Sequence, residues 1–371
     1  HGKDNGVNGL RIALVLATSS GGVGSHVRSL SRGLVAQGHR VAVVGPEATE
    51  QRFDFTGTGA RFAPLEVADR PRPFRDLAAL LRLNALLAGA DVVHAHGARA
   101  GALVALSGAA APLVVTMHNA PPAGGGAWLF GLLEQILVCR ADLVLGVSSD
   151  LVERARTRGA RRVARALVPA PPAAPSGRDP EQIRAELGVE PGQPLLVTVA
   201  RLAEQKGLPV LLDAARAWAR RTPSPLVVVA GEGPLRESLT ARITAENLPL
   251  RLLGNRDDVA DLLAAADVFV LSSMWEGQPL VVQEALRAGV PVVATDAGGV
   301  ADLVGDAAVL VPVGDADALA DGVVQVLDDE ARAARMRLRS RAAAAVLPPP
   351  GSDCAQVISY YAELVDRART R

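Results

Sequence analysis

Lysine is almost missing from this chain. Of 39 basic residues 37 are arginine, and the two lysines are Lys3 and Lys206. The two cations differ in geometry and hydration and do not exchange freely. Lys206 therefore stands out, either as a place that needs a compact ammonium or as a chance survivor. Cysteine is equally scarce. Cys139 and Cys354 build neither a disulfide framework nor a metal-ligand spacing, which suits a reducing compartment. Aromatic residues make up 3%, and the first half offers no Trp or Tyr platform apart from Trp128. There is no excess of one charge: the formal net charge is zero, which gives no argument for a nucleic-acid partner. No long apolar span is present either. The longest uncharged run, Ala100 to Met117, is interrupted by Gly108 and Pro112 and reads as a helix followed by a strand. No stretch reads as a signal peptide. The chain opens on His-Gly-Lys-Asp-Asn-Gly rather than Met, so residues 1 to about 9 read as a tag remnant.

What is present is a folded, mostly apolar chain. Its 371 residues are 49% hydrophobic, too long for one ordinary core, and two domains are expected. Charge is divided unevenly: residues 1–168 carry 19 basic and 12 acidic side chains, the remainder 20 and 27. Six arginines (Arg154, Arg156, Arg158, Arg161, Arg162, Arg165) supply much of the basic excess. They read either as one solvated helix and loop, or as a surface for an anionic acceptor or carrier such as a phospholipid headgroup. The second reading implies a cytoplasmic protein in peripheral contact with the inner membrane face.

Apolar runs of five to seven residues alternate with amphipathic segments, the pattern of parallel α/β units. Strands are expected at Arg11–Ala17, Arg40–Gly45, Asp91–Ala95, Leu113–Met117 and Asp142–Val147, with helices at Ser25–Gln37, Phe74–Ala88 and Ala127–Arg140. A second series is expected at Leu195–Ala200, Leu226–Gly231, Leu250–Leu253, Asp267–Leu271, Pro291–Thr295 and Ala308–Val311. Between them, the Pro-rich residues 169–177 fit neither helix nor central strand. This gives a doubly wound domain at 10–168, a linker at 169–180 and a second such domain at 181–347. After Pro348-Pro349-Pro350 comes a last helix, in 353–371, expected to pack back on the first domain. A cleft between the strand C-terminal ends of the two domains would be the place for a ligand.

The most informative stretch is Trp275 to Gly299. Glu276 lies in a loop after an apolar strand, and Pro279 suits a first helical position. Glu284 then falls in the second turn, its side chain leaning back toward the helix N-terminus, where free N–H groups favour an anion. A phosphate flanked by hydroxyls, as in a nucleotide sugar, fits. Arg201 and Lys206 bracket the loop after the second domain's first strand, where two cations would cradle a diphosphate, unless they are plain surface charges. Gly21-Gly22-Val23-Gly24 follows the first strand and precedes a helix expected near Ser25. It reads as a backbone approach to phosphate or sugar, or as a tight turn. Neither this loop nor Gly231-Glu232-Gly233 is a dinucleotide fingerprint, because Val27 and Arg236 stand where the third glycine belongs. That disfavours a nicotinamide-dependent oxidoreductase. His118 ends the strand Leu113–Met117, either as a structural histidine or as a group facing the cleft.

Taken in order, Gly-Gly-Val-Gly, Met117-His118, Arg201…Lys206, Gly231-Glu-Gly-Pro234, Gly254-Asn-Arg-Asp-Asp258 and Glu276-x7-Glu284 resemble the retaining GT-B glycosyltransferases. The resemblance is to the large family of phosphatidylinositol mannosyltransferases and sucrose synthases, and runs from about residue 10 to 328. It implies an α/β GT-B fold, two Rossmann-like doubly wound domains facing each other across a deep cleft. It also implies that Arg201 and Lys206 hold the donor diphosphate in place of a metal ion, so that no metal or cofactor is required and the nucleoside-diphosphate sugar is a substrate. Glu284 would bind the ribose hydroxyls and Glu276 the transferred sugar. The Gly277-Gln278-Pro279-Leu280 segment would place sugar and phosphate, and Gly231 with Gly254, Asn255 and Arg256 would border the nucleotide. Gly22, Gly24 and His118 would close over it from the first domain. Two departures bear on donor identity: Gln278-Pro279 replaces the commoner Phe-Gly, and Asp302 stands where Glu is usual. Transfer of a hexose-type sugar to an unidentified acceptor is expected. A sugar-nucleotide epimerase on the same fold and an inactive nucleotide-sugar-binding protein remain the alternatives.

Overall fold

A computed structural model of the chain describes residues 9–19, 21–66, 73–119, 127–171 and 177–370. The opening residues 1–8, read above as a tag remnant, and residues 172–176 of the Pro-rich segment lie outside the described residues. The chain divides into two units, one formed by residues 1–169 together with 348–371, the other by residues 170–347.

The first unit holds a seven-stranded parallel sheet built from β1 (Arg11–Leu16), β2 (Arg40–Gly45), β3 (Arg61–Pro64), β4 (Val92–His96), β5 (Leu113–Met117), β6 (Leu143–Gly146) and β7 (Val163–Arg165). Their order is β3-β2-β1-β4-β5-β6-β7. The central strands are buried along nearly their whole length, as strands covered by helices on both faces must be. β3 and β7 were not expected from the sequence. Both are short edge strands that begin or end on arginine and are only partly buried, so neither shows the apolar run that marks the inner strands.

The second unit repeats the plan with six parallel strands: β8 (Leu195–Val199), β9 (Leu226–Ala230), β10 (Leu250–Gly254), β11 (Val268–Leu271), β12 (Val292–Thr295) and β13 (Ala308–Val311). The order is β10-β9-β8-β11-β12-β13. Alternate residues feed two cores. Leu196 and Val227 join fully buried Trp218 on one face, while Leu195, Val197 and Val228 join Phe269 and Leu286 on the other. Trp218 also satisfies its indole N–H, donating to the Ala320 carbonyl at 3.2 Å.

Both sheets reverse their strand order beside the first strand of the unit. Loops leaving the C-terminal ends of the two strands there splay apart, and the gap is where such sheets bind ligands. In the first unit the reversal lies between β1 and β4, in the second between β8 and β11.

The arginine cluster is largely matched within its own unit. Arg154 and Arg158 converge on Glu134, whose side chain is wholly buried in the helix Ala127–Arg140, with N–O distances of 2.6 and 3.0 Å. Arg156 pairs with Glu153, and Arg162 pairs with Glu363 while lying over the Tyr360 ring. Arg165 donates to Ser149 Oγ. Much of the basic excess thus holds helices together. Among the described residues, no helix is long and apolar enough to cross a membrane.

Candidate functional site

In the second unit the predicted site residues gather at the C-terminal edge of the sheet, on loops that follow successive strands. Arg201 follows β8 and is exposed, and Lys206 ends a single 3₁₀ turn, Glu204–Lys206. Glu276 follows β11. The two loops flank the reversal point and are joined across it: Lys206 Nζ donates to Glu276 Oε1 at 2.5 Å. Glu276 is 4% exposed, and the same oxygen accepts from Ser273 Oγ at 2.5 Å. A buried carboxylate needs such partners, because desolvation otherwise favours its neutral form.

The backbone around this pair is fastened at several points. Gln205 Nε2 donates to the Trp275 carbonyl at 2.9 Å, and the Met274 N–H donates back to the Gln205 carbonyl at 2.8 Å. Ser272 Oγ donates to the Lys206 carbonyl, and Thr295 Oγ1, at the end of β12, donates to the Ser273 carbonyl. Gly207 has φ +58°, and a Cβ there would stand 2.0 Å from the Ser272 carbonyl oxygen. A Cβ at Gly298, with φ +56°, would stand equally close to the Glu276 carbonyl oxygen, which accepts from Gly299 N–H at 3.0 Å. Gly298→Ala is therefore expected to destabilise this loop by about 2 kcal/mol, combining left-handed strain with a backbone clash. Chemical denaturation checks the stability, and loss of ligand response without a change in far-UV circular dichroism would locate the damage at the loop.

Pro279 sits one residue outside the expected position. The helix runs Leu280–Ala288 and Pro279 is its N-cap, with φ −71° and ψ 111°. Helix geometry leaves the first-turn N–H groups, those of Leu280 and Val281, without intrahelical acceptors. They add a partial positive charge at the end of the loop that carries Glu276. Glu284 occupies the second turn of this helix as expected. Its burial pushes the carboxyl above its ordinary value, with Arg287 pulling the other way. Gln278 Oε1 is buried with no hydrogen-bond partner among the described residues. The next two side chains on the inner face have different work: Gln283 Oε1 accepts from Ala170 N–H, and Arg287 donates to the Ala170 carbonyl.

On the far side of β8, Gly231 N–H donates to the Gly254 carbonyl at 2.7 Å. Gly231 has φ +142° and passes so near the Ala200 carbonyl that a Cβ would stand 2.0 Å away. Asn255 is exposed beyond β10. The Arg256 guanidinium is taken up by Asp258, at 2.6 and 2.7 Å.

In the first unit the glycine loop differs from expectation. The helix starts at Gly22, not near Ser25, with Gly21 as N-cap. Gly24 N–H is engaged by Ser19 Oγ and the Gly21 carbonyl, and a Cβ at Gly24 would fall 2.1 Å from the Phe53 ring. Packing against Phe53 thus gives this glycine a structural reason of its own, beside its reading as a ligand contact. Nothing would meet a Cβ at Gly22 within 4 Å, so that backbone is open to approach.

His118 belongs to a buried group of four histidines. Its Nε2 lies 3.1 Å from His96 Nδ1, and the two rings are stacked. His26 contacts both rings edge-on, with centroids 5.7 and 5.6 Å away. His94 stacks on His96 and is saturated at both nitrogens, by Tyr361 OH at 2.6 Å and Thr116 Oγ1 at 2.7 Å. His26 Nδ1 stands 3.5 Å from Asp353. Burial keeps all four neutral: His94 is pushed down to about 3, and His96 and His118 well below the ordinary value. His26 is lowered too, with Asp353 opposing. Sequence reading singled out His118 and missed the partnership, since Asp353 and Tyr361 come from the helix Ser352–Arg369. Ser273, Thr295 and Gly298 were missed as well, because small residues near strand ends carry no signal until the loops are packed.

Comparison with known proteins agrees with this geometry. Residues 179–343 match the family model described as glycosyl transferases group 1, and residues 21–171 match the glycosyl transferase 4-like domain. The putative teichuronic acid biosynthesis glycosyltransferase TuaC of Bacillus subtilis is 35% identical over 227 residues, 58% of this chain and 55% of that protein. The match thus spans about half of TuaC's own length. The phosphatidyl-myo-inositol mannosyltransferase of Mycolicibacterium smegmatis is 29% identical over 351 residues, 86% of each chain. Among solved structures, Anabaena HepE in complex with UDP superposes with a TM-score of 0.81 at 20% identity, covering 95% of this chain and 100% of that one.

Proposed function

Because the chain belongs to the glycosyltransferases of the GT-B class, we propose that it moves a hexose-type sugar from a nucleoside-diphosphate donor to an acceptor hydroxyl, with retention of anomeric configuration. One observation carries the donor reading: a lysine and a buried glutamate joined across the reversal point of the second sheet, beside a helix N-terminus. A diphosphate is the group such a place suits, since it meets a compact cation, a second cation at Arg201 and outward N–H groups together.

In this reading Lys206 exchanges its glutamate partner for a phosphate oxygen when donor arrives. Arg201, Lys206 and the helix N-terminus then stabilise the negative charge that grows on the leaving diphosphate. Glu276, released from Lys206 but still held by Ser273, is placed to accept from sugar hydroxyls. Glu284, in the second turn of the same helix, accepts from the ribose hydroxyls. None of the site residues is an evident nucleophile for a double displacement, so retention is assigned to attack from the face that the diphosphate leaves. Support for a nucleotide-sugar donor also comes from the UDP complex of the HepE fold.

The test is a thermal-shift screen with UDP-glucose, UDP-N-acetylglucosamine and GDP-mannose, followed by NMR of the product anomer. A donor at a hundred times its Kd should stabilise the protein by about 2.7 kcal/mol. If no nucleotide sugar raises the transition, or the anomer inverts, the reading fails. Release of an epimerised donor without transfer would replace it with the epimerase alternative.

A further inference from the structure

We infer that His96 is a positioning residue that holds His118 as its Nδ1–H tautomer, so that His118 presents an uncharged hydrogen-bond donor to the sugar or phosphate of a nucleotide sugar. This rests on the reading of His118 as a contact of the donor substrate. His96 and His118 stand at the C-terminal edge of adjacent strands: His96 closes β4 in register with Thr116 of β5, and His118 follows β5 directly.

The hydrogen-bonding capacity of the two rings decides where their protons sit. A neutral imidazole has one N–H and one bare nitrogen. Between His96 Nδ1 and His118 Nε2, 3.1 Å apart, one must donate and the other accept. His96 Nε2 is buried and has no partner among the described residues. If the His96 proton sat there, a donor would be orphaned in the interior, which is rarer and more costly than an unused acceptor. The proton therefore belongs on Nδ1 and points at His118 Nε2. His118 must then carry its own proton on Nδ1, the nitrogen that His96 leaves unengaged.

The surrounding groups reinforce this assignment. His94 is saturated by Tyr361 and Thr116, so it has no proton to lend to the ring stacked on it. His26 meets both rings edge-on and faces Asp353, the acid nearest the group. Burial keeps His96 and His118 neutral, so neither adopts the doubly protonated form in which the tautomer would lose meaning.

The chain has six histidines, so labelling them with ¹⁵N gives a resolvable set of imidazole signals, assigned by single substitution. His118 should show a pyrrole-type Nδ1 and a pyridine-type Nε2. His96→Leu should mix or invert this pattern and lower donor kcat/KM roughly tenfold, the worth of one oriented hydrogen bond. His96→Asn places an amide N–H where Nδ1–H was, and should restore the pattern and return kcat/KM to within about threefold. A purely structural role would lower Tm in both variants and leave the tautomer untouched. A wild-type His118 protonated on Nε2 overturns the inference, without need of any variant that folds. So does a His96→Leu protein with unchanged tautomer and kinetics while His118→Ala is impaired, which leaves the donor-contact reading standing. If His118→Ala itself binds and uses donor normally, that reading fails and the inference falls with it.

Discussion

Lys206→Ala is expected to lower kcat by about a hundred- to a thousandfold, the loss seen when one donor aimed at developing charge is removed. That corresponds to about 3 kcal/mol of transition-state stabilisation. Donor affinity should fall less, since Arg201 and the helix N-terminus still meet the ground-state phosphate. The Lys206–Glu276 pair adds a second consequence. With Lys206 gone, Glu276 stays buried with only Ser273 on the shared oxygen. The loop that carries Glu276 should loosen as well, since Lys206 fastens it across the reversal point. Lys206→Arg is not expected to rescue, because a planar guanidinium cannot stand where Nζ makes a single 2.5 Å contact against a 3₁₀ turn. Single-turnover rates on a donor identified by thermal shift provide the measurement. A kcat within tenfold of wild type would remove Lys206 from the mechanism.

Acid is expected to unfold the first unit well before the second. All six histidines lie in the first unit, four of them packed together and buried. The packed four have folded pKa values below the unfolded value of about 6.5, so below that pH the unfolded chain binds the extra protons. Their neutral forms contribute stability fully present above pH 6.5 and lost as pH falls toward the folded values. His94, held at about 3, accounts alone for a loss on the order of 5 kcal/mol over that window. Asp353 softens the effect at His26, and a domain's whole stability is only about 5–15 kcal/mol. The second unit has no histidine, and Glu284, its carboxyl raised by burial, moves stability the opposite way as pH falls. Hydrogen exchange from pH 7.5 to 5.0 should show protection collapsing first along β1, β4 and β5. Equal loss in both sheets, or none in the first, would contradict the neutral assignment.

The sheets were legible because parallel strands covered on both faces must be apolar throughout, which is why Leu226–Ala230 and Leu113–Met117 announce themselves. β3 and β7 did not, since an edge strand has one side to cover and tolerates Arg61 and Arg165. Lys206 was legible for a compositional reason, as one lysine among many arginines. Gly24 was ambiguous, because a glycine that clears space for Phe53 and one that admits a phosphate look alike in a sequence. The histidine partnership was out of reach: His94 and Tyr361 are 267 positions apart, and no local pattern links a strand end to a helix near the chain's other end.

That last helix also bears on how the protein is made. The first unit draws on residues 348–371, through Asp353 beside His26, Tyr361 on His94, and Gln356 bridging the Arg165 carbonyl and Leu167 N–H. Domains usually mature on the ribosome in the order of their translation. Here the earlier-synthesised lobe lacks its own last helix until the whole of the later one has been translated.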